Sequence, residues 1–91
     1  MKRLRGAVGR GAGNRFDDVR TVQYLLNCVP RRAGGPLREL RVDGVAGELT
    51  LAAIERYLRK QGVEGGRVSP RGEALRALRE WDPYPESAMP E

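Results

Sequence analysis

Few side chains in this 91-residue chain could do chemistry, and their types narrow the reactions open to it. There is no histidine, and Cys28 is the single cysteine. Without histidine the chain lacks the commonest general base, the commonest zinc ligand and every Ser-His-Asp or Cys-His arrangement. One cysteine closes no internal disulfide and builds no thiolate cluster. Within the first helical pattern, Cys28 reads as a small buried apolar residue. What remains is carboxylate chemistry, in which two acids flank a scissile bond. The acids, however, stand where local structure uses them. Asp17 and Asp18 fall at a helix start, Asp43 in a turn, and Glu48 and Glu73 in first helical turns. Carboxylates there accept orphan N–H groups and favour the helix dipole. The chain therefore reads as a non-enzyme, with no catalytic residue, no metal site and no cofactor.

The elements that must position these residues follow from periodicity. Hydrophobic residues make up 40% of the chain and aromatics only 5%, which suits short helices packed through Leu, Val, Ile and Ala better than a sandwich. The expected fold is all-α, a compact three-helix bundle with long structured loops. Residues 1–15 form a Gly- and Arg-rich lead-in, residues 16–81 the domain, and residues 82–91 a Pro-rich tail. A first helix is expected from Asp17 or Asp18 to Cys28, with Asp17 as its N-cap and Val19, Val22, Leu25 and Leu26 at helical spacing. Residues 30–41, carrying Pro30, Gly34, Gly35 and Pro36, make a loop long enough to be suspected of a role. A second helix spans Glu48 to Gln61 and is stopped by Gly62. A third runs from Pro70 or Arg71 to Trp81, with Ser69-Pro70 as cap and first turn. Its inner face comprises Ala74, Ala77, Leu78 and Trp81, with Trp81 closing the base of the bundle. Val19, Val22, Leu26, Leu51, Ile54, Leu58, Leu75 and Leu78 are assigned to the core, and Tyr57 to packing.

Charge is distributed unevenly. The net charge is +5, but residues 1–41 carry ten basic and three acidic residues, whereas residues 42–91 carry seven and nine. Fifteen of the 17 basic residues are Arg, a bias read here as a solvated surface in preference to a nucleic-acid patch. Met1-Lys2-Arg3-Leu4-Arg5 is charged like the start of a signal peptide, but Gly6 to Arg15 holds Arg and Gly where an apolar run would stand. No stretch approaches transmembrane length. The expectation is synthesis in the cytoplasm without such a signal, with delivery to the periplasm or wall by another route.

The organising feature is the run from Leu40 to Leu58. Val42-Asp43-Gly44 makes a tight turn in which Asp43 bonds its own backbone and Gly44 accepts positive φ. Gly47 then opens the helix. Val22-Gln23 with Leu25-Leu26, Val42-Asp43-Gly44, Gly47 and Thr50 occur in an order and spacing that resembles the small three-helix peptidoglycan-binding domain of bacterial and phage cell-wall hydrolases. Gly65-Gly66-Arg67-Val68-Ser69-Pro70 and Ala74-Leu75-Arg76-Ala77-Leu78 are similar to that family's second turn and last helix. The lead-in from Val8 to Asn14 resembles variants attached to phage and type VI secretion wall-degrading proteins. The family often has an aromatic where Val45 or Ala46 stands, and a Pro where Glu48 stands.

The resemblance implies non-catalytic binding of peptidoglycan, through its peptide stem or glycan, by a monomer that assists a wall hydrolase or secreted effector. Asn14, Asp43, Gly44, Arg67 and Arg71 are the candidate ligand-binding residues, with Arg10 beside them. Arg67 and Arg71 would pair wall carboxylates, and Asn14 would offer an amide. These residues are expected to converge around one shallow groove, with loop 30–41 as the alternative location. A second function is kept open, that of a protein–protein adaptor for a secreted effector or phage lysis protein.

Overall fold

The computed structural model describes residues 3–84; the end of the Pro-rich tail, residues 85–91, and the first two residues of the charged N-terminal pentapeptide lie outside the described residues. Three helices form a mostly helical domain, as expected: α1 (Phe16–Asn27), α2 (Glu48–Gln61) and α3 (Glu73–Arg79). The all-α expectation needs one correction. Two short strands, β1 (Val8–Gly9) and β2 (Arg67–Val68), pair antiparallel, with Val8 opposite Val68 and Gly9 opposite Arg67. They are too short to show alternation, yet Val8 and Val68 are both fully buried. Gly9 is required for the approach, because its φ is +149° and a Cβ there would lie 2.6 Å from the Gly66 carbonyl oxygen.

α2 begins and ends where the sequence places it. Gly62 adopts the left-handed conformation at the C-cap, and the N–H of Gly62 and of Val63 donate to the carbonyls of Arg59 and Leu58. α1 starts earlier than expected. Arg15 occupies its N-cap position with no side-chain bond, and Asp17 sits inside the first turn rather than capping it. Asp18, buried, turns away from the helix end. Its carboxylate accepts the N–H groups of Arg5 (2.9 Å) and Gly6 (3.0 Å) and so fastens the lead-in to α1.

α3 is shorter than expected because Ser69 and Pro70 belong to a turn closed by the Gly72 N–H on the Ser69 carbonyl, leaving Gly72 as N-cap. Loop 30–41 contains a single 3-10 turn at Arg31–Ala33, ended by Gly34 with φ 101°.

The core gathers Val19, Val22, Leu25 and Leu26 from α1, Ile54, Tyr57 and Leu58 from α2, and Ala74, Leu75 and Leu78 from α3. Leu4 and Val8 join it from the lead-in. Three residues depart from their expected places. Leu51 lies on the flank of α2 and is half-buried, while Cys28 is the half-buried C-cap of α1. Trp81, beyond the end of α3, is 39% exposed and does not close the bundle. Asp82, next in the chain, is buried and accepts the Tyr24 hydroxyl at 2.9 Å. No helix among the described residues is long and apolar enough to cross a membrane.

Candidate functional site

The Asp43-Gly44 turn is ordered by one side chain of α1. Gln23, buried, accepts the backbone N–H of Asp43 (3.0 Å) and Gly44 (2.9 Å) on its Oε1. Its Nε2 donates toward Asp43 Oδ1 (3.0 Å), the Val45 carbonyl (3.1 Å) and Thr50 Oγ1 (3.0 Å). Asp43 Oδ1 also accepts the Val45 N–H at 3.0 Å, so the carboxylate caps its own turn. That backbone bond, followed by the one from Gln23, holds the Asp43 carboxyl below the usual carboxylate range. Gly44 has φ 76° and presses on the Phe16 ring, where a β-carbon would overlap. Gln23, Asp43, Gly44 and Thr50, four of the residues carrying the family resemblance, thus form one connected clasp between α1 and the start of α2.

Asn14 and Arg67 come together on residues 9–14. Asn14, at φ 51°, accepts the Gly9 N–H and donates to the Gly9 carbonyl, both at 2.9 Å. Arg67 donates to the carbonyls of Arg10 (3.3 Å) and Gly11 (3.2 Å). Arg10 reaches across to α2, pairing with Glu48 at 3.0 Å and Glu55 at 3.1 Å. The bond from Arg10 holds the Glu48 carboxyl below its usual range, and Glu48 and Glu55 push the Arg10 guanidinium in the opposite direction. The polar atoms of Asn14 and Arg67 therefore hold the lead-in in place. Arg71 is exposed and makes no hydrogen bond or ion pair among the described residues.

An open concavity lies along loop 30–41. Residues 36–41 face one flank of α2, from Gly47 to Arg56, across a groove of about 760 Å³. Leu37, Leu40, Leu49, Ala52 and Ala53 give it an apolar lining, and Asp43 stands at its edge. Asn14, Gly44, Arg67 and Arg71 do not line it. Arg56, in its lining, donates to the carbonyls of Gly35 (3.0 Å) and Arg31 (3.3 Å) and ties loop 30–41 to α2. Its near wall is fixed by Asn27, which donates to the Leu40 carbonyl and accepts the Leu40 N–H, both at 2.8 Å. Leu37 and Leu49 remain 60% and 78% exposed, so the groove presents apolar surface that the domain itself does not cover.

Arg38, Glu39 and Arg41, which line this groove, are absent from the residues singled out in the sequence. The available signal was the length of loop 30–41 together with its Arg content. Their common face depends on where α2 packs, which spacing alone does not give. No group of His, Cys, Asp or Glu among the described residues could hold a metal ion. No protein-family model, curated protein or solved structure matches this chain.

Proposed function

We propose that this domain binds bacterial peptidoglycan without cutting it, and that the ligand lies in the groove between residues 36–41 and α2. The observation that carries the reading is this open, partly apolar, Arg-bearing groove beside the Asp43-Gly44 turn. Two things support it. The residues of the resemblance meet in the clasp that holds the groove's edge, and the groove has the concave form that ligand sites favour. A shallow site of this kind gives weak binding, useful because it raises the local concentration of a wall hydrolase or effector near its substrate. The test is retention on purified insoluble sacculi at moderate salt, with another peptidoglycan-binding domain as positive control. The chain is expected to sediment with the sacculi, and its recovery in the supernatant alone would refute the proposal.

The adaptor reading draws on a different observation. Phe16 and Val45, at 59% and 61% exposure, stand next to the Gly44 turn as apolar surface. An adaptor would capture one discrete protein through these side chains and lose it in Phe16→Ser/Val45→Ser, with sacculus binding unaffected.

A further inference from the structure

The charges that line the groove are not equivalent. Glu48 is paired with Arg10, the Asp43 carboxylate is engaged by Val45 and Gln23, and Arg56 is bound to two carbonyls. Arg38, Arg41 and Glu39 also line the groove, are exposed, and make no hydrogen bond or ion pair among the described residues. The groove therefore offers two cations and one anion without a hydrogen-bonded partner over an apolar lining, Arg41 lying near enough to Asp43 for its charge to help lower that carboxyl. No aromatic side chain lines it, since Phe16, Tyr24, Tyr57, Trp81 and Tyr84 all lie elsewhere. Sugar rings are gripped by stacking on aromatic faces, which combine large apolar area with low conformational cost. Carboxylates are gripped by Arg forks, which supply two parallel donors.

From this we infer that the groove reads the peptide stem of peptidoglycan and not its glycan, with Arg38 and Arg41 taking stem carboxylates and Glu39 taking the free amine of the stem's diamino acid. The inference rests on the peptidoglycan reading above and narrows it to one part of the polymer. It has a consequence for selectivity. Cross-linking turns that amine into an amide and removes its charge, so Glu39 loses its partner. The domain accordingly prefers stems that are not cross-linked, which marks newly made or already cleaved wall.

The test is calorimetric titration of the full chain with three soluble probes. The first is a stem tripeptide, capped at its N-terminus, that ends in the diamino acid. The second is the same peptide acetylated on the side-chain amine, and the third is a β-1,4-linked N-acetylglucosamine tetramer. The tripeptide is expected to bind, its acetylated form about five-fold more weakly, as for loss of one exposed ion pair, and the sugar not at all. Arg38→Glu/Arg41→Glu should lower tripeptide affinity by at least about ten-fold. Its melting temperature should stay unchanged, and Arg38→Gln/Arg41→Gln supplies the same reading if the reversed pair fails to fold. Glu39→Gln should erase the difference between the free and acetylated peptides.

Tripeptide binding that ignores the Arg substitutions would overturn the inference, as would binding of the sugar alone. A chain retained by sacculi that binds no tripeptide would overturn it and leave the peptidoglycan reading standing. Failure on both sacculi and tripeptide would overturn the two together.

Discussion

The two flanks of α2 carry similar residue types and end in opposite states. On the lead-in side, Arg10 is paired with Glu48 and Glu55, Arg67 is bound to loop carbonyls, and Asn14 is bound to Gly9. On the side of loop 30–41, Arg56 and Arg31 are engaged with loop carbonyls, while Arg38, Glu39 and Arg41 make no hydrogen bond or ion pair among the described residues and lie in the same groove as exposed Leu37 and Leu49. Arginine content does not separate these surfaces, but satisfaction of the arginines does. A guanidinium that already holds backbone carbonyls would have to give them up to bind a ligand, whereas a free one only sheds water. Side chains with unmet bonding capacity around an open groove are therefore better candidates than side chains beside turns.

The comparison can be broken at its foundations first. Leu26→Ala or Ile54→Ala, emptying fully buried sites that both flanks rest on, should cost about 2–5 kcal/mol in denaturant unfolding. Gln23→Leu should cost on the order of 2–4 kcal/mol, because the Asp43 and Gly44 N–H groups lose their acceptor. That variant should also weaken sacculus binding at the groove while leaving the lead-in side intact.

Acid should act next. The Asp43 and Glu48 carboxyls have folded-state pKa values below their ordinary ones, so their contribution is fully present at neutral pH. It is lost as pH falls below about 4.5 toward the lowered values. A melting temperature that is flat above that point and falls below it is expected, with a shallower fall in Glu48→Gln.

Tyr57→Phe should be neutral or stabilising by up to about 1 kcal/mol, because the buried Tyr57 hydroxyl has no hydrogen-bond partner among the described residues. Smallest of all should be the thermal effect of Arg38→Ala or Arg41→Ala, exposed side chains that make no hydrogen bond or ion pair among the described residues.

Legibility in the sequence followed the range of the interactions. α2 was readable to its ends because Gly47 and Gly62 bracket an uninterrupted amphipathic pattern. α1 misled by a residue or two. Asp17 looks like a cap, but the start of α1 is set by Arg15 and by Asp18 reaching back to Arg5 and Gly6. Ser69-Pro70 has the chemistry of a helix start, yet pairing of Arg67–Val68 with β1 holds that segment in a turn. The β pair itself was invisible, since two-residue strands far apart in the chain leave no periodicity. At the candidate site, the Asp43 turn was legible as local chemistry, while Gln23 as its clamp required knowing how α1 packs. Asn14 and Arg67 are expected from the sequence to face a ligand together with Asp43 and Arg71, but their bonds to Gly9, Arg10 and Gly11 are invisible in a residue's type. The groove depends on where loop 30–41 lies against α2, and no local rule contains that.

The central claim is that the ligand occupies the loop flank of α2 and not the lead-in flank. Backbone amide chemical-shift mapping with peptidoglycan fragments solubilised by a muramidase tests it most directly. The account predicts that shifts concentrate in residues 37–43 and 47–56, with residues 9–14 and 67–71 quiet. Shifts centred on Asn14, Arg67 and Arg71, with residues 37–41 unmoved, would contradict it.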